Sequence, residues 1–199
     1  VFVNCPFDRT YWSLFEAMVF AVVACGLRPR CALEELDSGT VRLDRISRLV
    51  ESCGLAIHDL SRVETSGRRS LPRFDMPFEL GLDIGCRRFG SGPVRGKRML
   101  ILDARRHRYQ AFLSDIAGQD IQTHNGSART LIKRVRDWLR VCTNDGALPG
   151  EVTIARWLRG FARQLPESCR HAGLDRRNLL FVDYVRLAEA WVAAERQAR

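Results

Sequence analysis

Residues 54–61, GLAIHDLS, and residues 73–85, RFDMPFELGLDIG, decide how this chain folds. The first is a short apolar run entered from Gly54 and left through Asp59 and Ser61, which reads as a buried strand over 55–60. The second opens near Asp75, accepts Pro77 in its first turn and reads as a helix over 76–85. A Gly, Arg and Ser loop over 65–72 joins them. Working outward, the same alternation returns. Upstream, VFVN at 1–4 reads as a strand cut off by Pro6. A helix spans 12–25 and stops at Gly26, a strand spans 27–33, and EELDSG makes an acidic turn before a helix over 42–53. Downstream, 97–103 is a further strand, and 113–122 is a helix or an edge strand. Helices follow over 128–141, 149–165 and 179–196.

Strands alternating with helices predict an α/β fold, a parallel sheet covered on both faces. GALPG at 146–150 divides an α/β part, residues 1–145, from a helical extension, 146–199, packed on it. The extension carries Trp157, Leu158, Phe161, Leu180, Phe181, Tyr184, Leu187 and Trp191, which either cover the sheet or form a face for a second copy or another protein.

A chain of 199 residues can build its core without staples. Its seven cysteines are odd in number and form no CxxC pair. They read as small buried hydrophobes in a reducing, cytoplasmic compartment. The longest apolar run, FEAMVFAVVACGL, is broken by Glu16 and falls short of the roughly 20 residues a membrane helix needs, so it reads as a core helix. The chain opens on Val1, directly in a strand, which leaves room for a leader before it. A net charge of +9 suits anionic partners. The arginines are dispersed among acids, however, so a solvated surface outweighs a nucleic-acid face.

Ligands of parallel sheets collect at the carboxyl ends of strands and at helix N-termini. That rule selects Asn4, Cys5, Phe7 and Asp8 after the first strand, and Glu34, Glu35 and Asp37 after the second. It also selects His58, Asp59 and Ser61 after the third, and Asp75 and Glu79 where the next helix begins. Asp75 and Glu79 stand one turn apart on one face. Asp75 also suits a cap, Asp59 a loop tie and His58 a structural hydrogen bond. Glu79, between Phe78 and Leu80, is a carboxylate in a partly dry place, costly unless it has a partner or a task. No HExxH or other metal spacing, P-loop, dinucleotide fingerprint or GxSxG elbow is present, and no histidine is indicated as a partner for Cys5.

FVNCPFD, EELDSG, GLAIHDLS and MPFELGLDIG, in that order, resemble the Toll/interleukin-1 receptor (TIR)-like domains of bacteria and the related nucleoside 2-deoxyribosyltransferase-like proteins. The resemblance covers roughly residues 1–103 and implies a flavodoxin-like open sheet. It implies cleavage or transfer at an N-glycosidic bond of NAD or a nucleotide, NAD being substrate rather than cofactor, with Glu79 as the essential carboxylate. Asp59 or Asp75 would handle ribose or base. Asn4, Pro6, Phe7, Asp8, Glu35, Asp37, Ser61, Arg62 and Met76 would line the substrate site, and Arg30, Arg62 or Arg73 would bind phosphate. Ser70 is the nearest counterpart of the serine TIR-like members carry before this helix. An NAD-cleaving effector of bacterial self-defence, a deoxyribosyltransferase and a catalytically silent nucleotide- or partner-binding module all remain open.

Overall fold

The computed structural model describes residues 1–63 and 73–198, so the loop expected over 65–72, Ser70 included, lies outside the described residues. Four parallel strands, β1 (Phe2–Asn4), β2 (Leu55–Asp59), β3 (Arg98–Asp103) and β4 (Gln122–Thr123), form an open sheet in that order. The strand expected over 27–33 contracts to one bridge, Arg30 beside Phe2, with Val3 N–H donating to Arg30 O and Arg30 N–H to Val1 O, both at 2.8 Å. Pro29 offers no N–H, and Glu34 N–H already turns back to Cys31 O at 3.0 Å, so the ladder stops there. Counting that bridge, the spatial order becomes the flavodoxin-like 2-1-3-4-5.

Alternation along the strands sorts the core into two faces. Val3, Ile57, Leu100 and Leu102 pack with α1 (Trp12–Ala24), α4 (Ala128–Thr143), α5 (Glu151–His171) and α6 (Phe181–Gln197). Phe2 and Ala56 pack with α2 (Arg42–Ser52), while Leu60 and Ile101 pack with Met76 and Leu80 of α3 (Asp75–Phe89). Helix α1 is apolar all round because the sheet covers one side and α5 and α6 the other, leaving Ala17 to Val22 without exposure. Of the C-terminal aromatics, Trp157, Phe161, Phe181 and Tyr184 are buried in that shared core and Trp191 packs against it, whereas Leu180 is exposed.

Two boundaries differ from expectation. The 113–122 segment is mostly short 3-10 turns and delivers only the two-residue edge strand β4 at its end. Helix α5 runs through Pro166 because Leu165 and Cys169 on either side of it are both buried, and that packing outweighs the lost backbone bond. No helix among the described residues is long and apolar enough to cross a membrane.

Candidate active site

Adjacent residues at the end of β2 point to opposite faces, so His58 and Asp59 enter different networks. Asp59 faces α1. Its carboxylate accepts from Tyr11 Oη at 2.5 Å, from the Ser61 hydroxyl and from Ser61 N–H at 2.9 Å, and His124 Nε2 stands 3.0 Å away. Gly126 N–H donates to His124 Nδ1 at 3.1 Å, which leaves the ring hydrogen on Nε2, facing Asp59 and Ser61 Oγ. Burial pushes the Asp59 carboxyl up, but His124, Ser61 and Tyr11 together hold it below the usual range. It is fully buried and saturated with donors, the geometry of a knot tying β2 to α1 and β4.

His58 faces α3, where its Nε2 meets Asp83 Oδ2 at 2.9 Å, while Lys97 Nζ pairs with Asp83 Oδ1 at 2.5 Å. At the end of β3, Asp103 takes Arg108 through Nε and Nη2, the closest approach being 2.6 Å. Burial outweighs this arginine and leaves the Asp103 carboxyl raised.

Glu79 is different. It is the fourth buried carboxylate among the described residues, with 4 % of its surface exposed. Its one ionic partner among them is Arg42, at the start of α2, with 3.7 Å between Nη2 and Oε1. Desolvation raises its pKa to about 7, Arg42 opposing and the charge of Asp75 one turn earlier adding to the rise. The Cys5 thiol is pushed well above its ordinary range, by burial first and then by charges that include Asp59 and Glu79. A thiol held protonated in this way is a poor nucleophile.

The other residues selected from the sequence divide by burial. Asn4, Pro6 and Met76 are interior, Met76 within the core under α3. Phe7 is half-buried, edge-on to Phe15 at 5.3 Å. Asp8 Oδ1 caps the entry to α1 through Thr10 and Tyr11 N–H groups, and Oδ2 pairs with Arg73 at 3.2 Å, so the loop after β1 is tied to the approach to α3. Asp37 closes its own turn onto Gly39 and Thr40, and Glu35 pairs with Arg48. Arg30 pairs with Glu34 at 2.5 Å, whereas Arg62 is exposed and acts on Asp8 through its charge. The rim therefore gathers Asp8, Arg73, Asp75, Glu79 and Arg42, while the acids after Arg30 are taken up locally.

Sequence reasoning missed Arg42, Tyr11, Asp83, Lys97 and His124. Asp83 could have been found as the residue one turn beyond Glu79 on the same face. His124 gave no signal, because a two-residue strand has no period. No group of three or more metal-ligating side chains is present among the described residues. A cavity of about 700 Å³ lies instead between α2 and α3, lined by Val50, Phe78, Leu82 and Phe89. No family model, curated protein or solved structure matches the chain.

Proposed function

We propose that this protein cleaves the ribosyl N-glycosidic bond of NAD or a related nucleotide, with Glu79 at the anomeric carbon. The observation that carries this reading is the contrast among the buried carboxylates. Asp59, Asp83 and Asp103 are each matched to close donors or cations, whereas among the described residues the ionic partner of Glu79 is a guanidinium at 3.7 Å. A largely desolvated carboxylate with a raised pKa, near the start of a helix on the carboxyl rim of a parallel sheet, is suited to a positive partner.

In NAD that partner is supplied by the substrate. The C1′–N bond breaks with its electron pair leaving on the nicotinamide nitrogen, which becomes neutral, so the leaving group needs no acid. The ribosyl oxocarbenium ion that remains is stabilised by ionised Glu79 and captured by water, giving ADP-ribose, nicotinamide and a proton. A cationic substrate also favours the ionised form of Glu79, which offsets the effect of burial. Asp75 and Arg73 would meet ribose hydroxyls and phosphate from the rim, and the buried Asp59 shapes the strand end from behind. Seven free cysteines fit a reducing, cytoplasmic setting, and the family resemblance extends the reading to a defence effector.

The test is incubation of wild type and Glu79→Gln with NAD, following nicotinamide and ADP-ribose by chromatography. Release by wild type alone is expected. Equal release by both would assign the chemistry to another carboxylate. Release that requires an added nucleobase would favour the transferase, and binding without release a silent module.

A further inference from the structure

We propose that Asn4, His58, Asp83 and Lys97 form a positioning relay that grips α3 on both sides of Glu79 and sets where its carboxylate stands; the inference rests on the reading of Glu79 as the reactive group. The Asn4 amide nitrogen lies 3.0 Å from Met76 O and 3.0 Å from His58 Nδ1. An amide NH2 has two hydrogens, so both are spent, and His58 Nδ1 must accept. The imidazole hydrogen then sits on Nε2 and is donated to Asp83 Oδ2 at 2.9 Å. Asp83 pairs at 2.5 Å with Lys97 Nζ, which also donates to Val50 O near the end of α2. All four side chains belong to residues no more than 2 % exposed.

The two contacts with α3 fall at Met76 and Asp83, three residues before and four after Glu79. Gripped at both points, one helical turn either side, the helix can neither rotate nor slide without breaking a buried hydrogen bond. An apolar contact would hold α3 on the sheet as firmly, since replacing a buried ion pair by hydrophobic residues of similar volume is often neutral or stabilising. What an apolar surface lacks is direction. Hydrogen bonds fix register, and register here decides whether Glu79 stays buried beside Arg42 or turns toward solvent.

The test reads Glu79 directly, by carboxyl ¹³C NMR titration of Asn4→Leu and of the double variant Asp83→Leu with Lys97→Met, which replaces the ion pair by apolar groups and serves if Asn4→Leu does not fold. Folded variants are expected to bring the Glu79 midpoint down by about one pH unit or more, as the carboxylate gains water. Their kcat on NAD should fall on the order of tenfold to a hundredfold with KM little changed. A folded double variant with an unmoved Glu79 midpoint would overturn the proposal. The titration is independent of catalysis, so a protein that cleaves no NAD yet shows the shift would retain the relay and lose only the glycosidase reading.

Discussion

Replacing Glu79 with glutamine should make the fold more stable, and by an amount that depends on pH. In the unfolded chain this carboxyl titrates at its ordinary 4.5, and in the folded protein at about 7 because burial disfavours its charge. Between those values the folded state binds more proton than the unfolded state, so wild-type stability falls as pH rises through the window and levels off above it. The difference corresponds to about 3.4 kcal/mol in full, and to about 2.5 kcal/mol between pH 5 and pH 8. Glutamine has nearly the same shape and no charge to lose. Urea unfolding of both proteins at several pH values should therefore show the variant gaining on wild type by about 2–3 kcal/mol from pH 5 to pH 8. A gap that stays constant across that range would refute the reasoning, since it would mean that Glu79 titrates alike in both states. The direction matters for function. A group that destabilises its own fold at neutral pH is expected where the site has a use for it.

Three further perturbations address the surroundings. Tyr11→Phe removes one donor from the buried Asp59 carboxylate and should cost about 1.5–3 kcal/mol in urea unfolding; no loss would show that the phenol is not needed to hold that charge. Gly160→Ala places a Cβ 2.9 Å from Trp191 Cζ2 between α5 and α6 and should lower Tm, overpacking of about 1–3 kcal/mol exceeding a helix-propensity gain of about 1 kcal/mol. Gly81→Ala, with nothing within 4 Å of its Cβ, should instead raise Tm by the equivalent of about 0.5–1 kcal/mol. Gains at both glycines would mean that α5 and α6 do not approach so closely.

The burial of Glu79 was legible through Leu80, which is buried beside it, whereas Phe78, the other neighbour that suggested a dry place, is exposed. Asp59 was equally visible, and the loop tie expected of it forms through Ser61 N–H, but the rest of its network was not legible. The donors that saturate it come from Tyr11 and His124, far apart in the chain and brought together only when α1 and β4 pack at one strand end. The same holds for Arg42, whose place beside Glu79 depends on how α2 lies against α3. The short second strand escaped because apolar content does not reveal that Pro29 and the turn after Cys31 leave room for only one bridge.

By itself the sequence determined the alternation of strands and helices, the burial of α1 and the two residues, Asp75 and Glu79, that open α3 on a common face. Those follow from periodicity and turn chemistry, which act over a few residues, whereas the cap expected of Asp75 does not form, Phe74 standing at that position without a side-chain hydrogen bond. The tertiary structure alone decided which buried charges find partners. A buried carboxylate is held ionised or has its pKa raised according to the donors that reach it, and in this protein those donors come largely from other strands and helices. Asp59 and Asp83 were matched by that packing, and among the described residues Glu79 meets Arg42 at 3.7 Å.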